Sequence, residues 1–73
     1  MNLMELEIEL KKLEIPVNSY SLKGGLPNEA FCISSDNNQW EIYYSERGNK
    51  TLLKSFQSEQ EACDYFILWV KEI

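Results

Sequence analysis

WEIYYSERGNKTLLKSFQSEQEACDYFILWV, residues 40–70, decides the fold. Trp40, Ile42 and Tyr44 alternate with Glu41, Tyr43 and Ser45, the two-residue period of a half-buried strand over Gln39–Ser45. Arg47-Gly48-Asn49-Lys50 turns the chain back, with Gly48 and Asn49 suited to positive φ. A returning strand follows over Thr51–Phe56. Its Leu52-Leu53 pair breaks the alternation, which fits a bulge or burial on both sides. Ser58-Glu59-Gln60-Glu61 then matches a capping box, and a helix is expected over about 59–72. Ala62, Phe66, Trp69 and Ile73 form its inner stripe, with Cys63 and Val70 beside it.

Upstream, Leu3, Leu6, Leu10 and Leu13 recur at helical spacing, so residues 2–14 are expected to form a helix capped by Asn2 and stopped by Pro16. Met4 and Ile8 widen its apolar stripe. Tyr20–Lys23 is a short alternating run ended by Gly24-Gly25, and Leu26-Pro27-Asn28 makes a turn. Ala30–Ser34 reads as a strand, with Phe31 and Ile33 on one face and Ala30 and Cys32 on the other. Asp36-Asn37-Asn38 joins it to the next strand. The expected fold is therefore one α+β domain over residues 1–73: an N-terminal helix, a three- to four-stranded antiparallel sheet and a C-terminal helix, with both helices on one sheet face.

Composition narrows the function classes. The chain has 73 residues, 44% of them hydrophobic, and a net charge of −5. That charge repels phosphate backbones and anionic lipid, so nucleic acid and membrane are not expected partners, whereas a basic protein is. The N-terminus, MNLMELEIELKK, is acidic and amphipathic without a continuous apolar run, so no secretion signal is expected and the location is expected to be cytoplasmic. Two cysteines, Cys32 and Cys63, lack metal-ligand spacing and read as reduced thiols packed in the interior.

Catalytic chemistry finds little support. The chain contains 0 His, which removes the commonest general base near neutral pH. Cys63 stands near a helix start, but Glu59, Glu61 and Asp64 around it oppose a thiolate. The pairs Glu59/Glu61 and Glu7/Glu9 are two residues apart on helices and diverge. Asp36-Asn37-Asn38 lacks the other ligands of a calcium loop, and Gly24-Gly25 precedes no helix N-terminus that would hold a phosphate. The expectation is a protein that is no enzyme, with no metal and no cofactor. One set of residues suggests partner binding: Glu41 and Tyr43 on the strand face away from the helices, and Glu46 and Arg47 at the strand end. Tyr and Arg are favoured interface anchors, and acidic neighbours suit a basic target. The same residues also fit a solvated strand face.

The ordered set Tyr20-x-Leu22-x-Gly24-Gly25, Leu26-Pro27-Asn28-Glu29-Ala30, Trp40-Glu41-x-Tyr43-Tyr44-Ser45-Glu46-Arg47-Gly48, Phe56 and Ser58-Glu59-x-Glu61-Ala62-Cys63-x-Tyr65-Phe66 resembles small bacterial immunity proteins that accompany polymorphic toxins. The resemblance runs from about Tyr20 to the C-terminus. It implies a protein that binds and neutralises a cognate toxin domain, commonly a basic nuclease, by covering its active site or a nearby surface. It transfers no catalytic residue. The alternative is a non-inhibitory interaction or regulatory module, including one that pairs two copies of itself.

Overall fold

Asn2 opens the first helix with a complete capping box: its side chain accepts from the Glu5 N–H, and the Glu5 carboxylate accepts from the Asn2 N–H. This computed structural model describes residues 1–36 and 38–72. The helix, α1, spans Leu3–Lys12. It buries Leu6 and Leu10 completely, with Leu3 packed beside them. Met4, Ile8 and Leu13, expected to join the stripe, are exposed. Met4 and Ile8 lie on the side of the helix opposite Leu6 and Leu10, and the acidic and basic residues between them keep that side wet.

After a 3₁₀ turn at Val17–Ser19 come strands β1 (Tyr20–Ser21), β2 (Ala30–Asp36), β3 (Gln39–Glu46) and β4 (Asn49–Phe56), then helix α2 (Glu59–Lys71). The four strands form one sheet in the order β1-β2-β3-β4. The β2–β3 and β3–β4 pairs are antiparallel, whereas β1 runs parallel to β2. This corrects the expectation of a wholly antiparallel sheet. The reason lies in residues 22–29, which cross the sheet instead of folding back as a hairpin. Only Tyr20 and Ser21 of the alternating run pair with the sheet.

The β3–β4 turn is tighter than its sequence suggested. Positive φ falls on Arg47 (51°) and Gly48 (81°), and Asn49 already pairs with Glu46 in the strand. Two successive left-handed residues are what a short hairpin needs to match the twist of its strands. The Leu52-Leu53 irregularity is a bulge: Ile42 pairs with Lys54 while Tyr43 pairs with Leu52, leaving Leu53 as the extra residue. Both leucines remain exposed. Asn37, in the β2–β3 turn, and Ile73, expected on the inner stripe of α2, lie outside the described residues.

Both helices cover one face. Leu6 and Leu10 from α1, Ile33 and Ile42 from the sheet, and Ala62, Cys63, Phe66, Ile67 and Val70 from α2 form one buried cluster. Ile67 was not foreseen on the inner face. It lies beside Cys63 and Val70, which widens the buried stripe. At the start of α2, Ser58 accepts from the Glu61 N–H at 3.2 Å, the first half of the expected box. The return bond from Glu61 is not among those formed, and its side chain is exposed. Glu59 takes a different partner, accepting the Leu3 N–H at 2.7 Å, while the Met1 amine meets Asp64 at 3.2 Å. Glu14–Pro16, beyond α1, line the same cleft as Val70 near the end of α2. The two helices therefore run side by side in the same direction.

The opposite face carries a smaller cluster of Ala30, Cys32 and Tyr43. Its cover is the 22–29 loop. Gly24 and Gly25 take φ of +76° and +82°, and a Cβ on Gly24 would stand 3.0 Å from the Cβ of Ser34. Glycine lets this backbone lie directly against the sheet. Ser21 Oγ donates to the Gly24 carbonyl at 2.8 Å and Tyr43 Oη donates to the Gly25 carbonyl at 2.6 Å. Further along, the Arg47 N–H donates to Asn28 Oδ1 at 3.2 Å, pinning the loop to the hairpin tip. Cys32 and Cys63 are both free and buried, on opposite faces of the sheet, in accord with their reading as interior thiols.

Candidate functional site

Strand alternation divides the four expected binding residues. Glu41 and Tyr43 share the loop-covered face, and Glu46 falls on the other face with Trp40, Ile42 and Tyr44. They do not form one patch.

Tyr43 is the main correction. Expected on an open, wetter face, it is 2% exposed, because the glycine loop lies over it and takes its hydroxyl proton in a hydrogen bond. Burial pushes its phenol up from the ordinary value, and the neighbouring Cys32 thiol adds to the rise. Lys50 Nζ stands 4.6 Å from the centre of the Tyr43 ring and 2.7 Å from Glu41 Oε1. Glu41 is thus paired with Lys50, whose side chain reaches along the sheet from its own register position opposite Ser45, and the trio Glu41, Tyr43 and Lys50 braces the loop-covered face. A buried tyrosine with a satisfied hydroxyl has no free surface to offer a partner.

Glu46 and Arg47 stay exposed at the hairpin tip. The tip owes its form to the left-handed pair Arg47-Gly48, which projects both side chains outward. The aromatic that accompanies them is Tyr44, which the sequence reading had turned toward the helices. Tyr44 does face that side and is half-buried. Its ring lies 5.1 Å from Phe31, its partner on β2, and Phe31 in turn lies 4.4 Å from Trp69 near the end of α2. Desolvation pushes the Tyr44 phenol up, and the carboxylates of Glu46 and Glu29 push it further. The signal for this grouping was present in the sequence, since Tyr44 and Glu46 are two apart on one strand face. Glu29 could not be placed without the register of β2 on β3.

A cleft of about 410 Å³ lies where the helices begin and is lined by Met1, Asn2, Glu5, Glu59 and Gln60. Its carboxylates already serve as caps, Glu5 for the Asn2 N–H and Glu59 for the Leu3 N–H. Among the described residues, no group of three or more His, Cys, Asp or Glu is placed to hold a metal ion, and no helix is long and apolar enough to cross a membrane. Burial pushes the Cys63 thiol up to about 11, with Glu59 adding to the rise, which disfavours the thiolate.

Compared with known proteins, the chain matches no family model, no curated protein and no solved structure.

Proposed function

We propose that this chain is an immunity protein, which binds a basic bacterial toxin domain in the cytoplasm and neutralises it by steric and electrostatic occlusion. The observation that carries this reading is the excess of carboxylates on the surface. The chain has 12 acidic and 7 basic residues, and among the described residues only Glu7, Glu9, Glu41 and Asp64 lie within 4 Å of a cation. Such a surface attracts a basic domain, speeds encounter and disfavours acidic competitors. A standard interface takes about 800 Å² per partner, roughly a sixth of the 4872 Å² this chain exposes. Co-expression with the adjacent toxin gene tests the reading: cells survive when the chain is present and stop growing when it is absent. Death in both cases ends it.

A second reading, a self-associating module, is favoured by one observation. Strand β4 is a free edge, exposed along Asn49–Ser55, with Leu52 and Leu53 open. However, symmetric antiparallel pairing about Leu52 sets Lys50 opposite Lys54 of the second copy, and like charges across strands repel. The bulge at Leu53 further disturbs the edge. Sedimentation at rising concentration separates the readings, since a stable dimer would favour the second.

A further inference from the structure

The hairpin end of the sheet holds a group of side chains that its own fold leaves uncompensated. Tyr44 and Phe31 face each other across β3 and β2 with ring centres 5.1 Å apart, and Trp69 extends the row at 4.4 Å. All three rings are half-buried, so an apolar edge remains open. Glu46 lies two residues past Tyr44 on the same face. Glu29 precedes β2, between Ala30, which pairs with Ser45, and Asn28, which accepts the Arg47 N–H, so its backbone lies beside Glu46. Desolvation, and after it the nearby carboxylates of Glu46 and Glu29, push the Tyr44 phenol up. Glu29 is held at φ 52° and Arg47 at 51°. Among the described residues neither glutamate has a cation within 4 Å, and Arg47, although adjacent to Glu46, makes no ion pair. The last turn of α2, near Trp69, adds the negative end of its helix dipole.

Two carboxylates close to one another are unfavourable without a cation to offset them. Tyr44 beside them supplies a π face that attracts such a cation. A lysine ammonium is a compact point charge, whereas a guanidinium is planar, has five N–H donors and stacks on an aromatic ring. A guanidinium stacked on Tyr44 keeps N–H donors at its rim for neighbouring carboxylates, which an ammonium cannot do. We infer that this end of the sheet is a docking surface for an arginine side chain of a basic protein partner, stacked on Tyr44 and bridging Glu29 and Glu46. The inference rests on the proposed function for its partner and adds the side chain that partner must present.

The test uses the isotope-labelled full chain and three capped tripeptides, Gly-Arg-Gly, Gly-Lys-Gly and Gly-citrulline-Gly. The arginine peptide is expected to move the amide signals of Glu29, Tyr44 and Glu46 saturably. The lysine peptide should bind several-fold more weakly, and the uncharged citrulline peptide should leave the signals in place. Glu29→Gln with Glu46→Gln, and separately Tyr44→Ala, should each weaken the arginine peptide by roughly fivefold or more, with the signals of Ile33 and Phe66 unmoved. Tyr44→Phe, which keeps the ring, should retain most of the binding. Shifts no larger here than at Glu7 and Glu61, or unaffected by the double glutamine variant, would overturn the inference. Its fate is separable from that of the proposed function. If arginine binds here yet the adjacent toxin still kills, the immunity reading falls and the site stands. If the double glutamine variant protects cells as the natural chain does, the site falls and the immunity reading stands.

Discussion

The two faces of the sheet are closed in different ways. On one, α1 and α2 bring a broad set of aliphatic and aromatic side chains onto Ile33 and Ile42. On the other, a short glycine loop covers Ala30, Cys32 and Tyr43 with a few directed contacts and little apolar area. The first face is held by area removed from water, at about 25 cal/mol per Å². The second is held by hydrogen bonds from Ser21 and Tyr43 and by a cation over a ring, each worth about 1 kcal/mol net. The helix face should therefore set global stability, and the loop face should open locally.

The largest expected effect is on the helix face. Phe66→Ala removes the largest fully buried side chain and should cost about 3–5 kcal/mol in chemical denaturation. A loss under 1 kcal/mol would mean that the helices contribute less than their burial implies. Next come the two cysteines, one under each cover. With Cys63→Ala and Cys32→Ala as single-thiol chains, alkylation of Cys32 should outrun that of Cys63 by about a hundredfold after scaling to the unfolded rates, because lifting a loop is a smaller opening than removing a helix. Equal rates would erase the distinction between the faces. Cys63 also gives a pH signature. The folded chain keeps its thiol proton up to about 11 while the unfolded chain releases it near 9.0, so stability from this group is intact below pH 9 and falls as pH rises through that window. Cys63→Ala should show a shallower decline there.

Smaller effects belong to the loop. Gly24→Ala places a Cβ against Ser34 at positive φ and should cost about 1–3 kcal/mol, while raising the Cys32 alkylation rate more than the Cys63 rate. Tyr43→Phe deletes the bond to Gly25 and should cost about 1 kcal/mol by the same denaturation assay. The smallest change is at Ser45, whose buried hydroxyl has no hydrogen-bond partner among the described residues. Ser45→Ala should be neutral or raise the denaturation midpoint slightly, since removing an unpaired buried hydroxyl relieves its desolvation. A marked loss there would reveal a partner for this oxygen.

Much of this fold was legible in the sequence because periodicity reports local burial. The alternation of Trp40–Ser45, the stripe through Ala62 and Phe66, and the caps at Asn2 and Ser58 all depend on near neighbours. The bulge at Leu53 announced itself as a break in that alternation. The parallel pairing of β1 was not legible, because it depends on where residues 22–29 cross. The same crossing decided the site. Tyr43 has the pattern of an exposed face residue, and nothing within its own strand reveals that Gly25 lies over it. Of the four residues expected to bind, Glu46 and Arg47 stay open, Glu41 is held by Lys50, and Tyr43 is buried. Tyr44 and Glu29 emerge only once β2 and β3 are aligned.

The bond from the Leu3 amide to the Glu59 carboxylate spans 56 positions of sequence. By contrast, β2, β3, β4 and α2 follow one another with short turns and assemble through adjacent segments. Nothing so near in the chain awaits α1, and an isolated helix of 10 residues is marginal in water. Contacts that close long loops are slow to form because chain entropy opposes them first. The ribbon of three long strands and its trailing helix is thus the expected nucleus of refolding, with α1 expected to seat late, once the first turn of α2 exists to receive it.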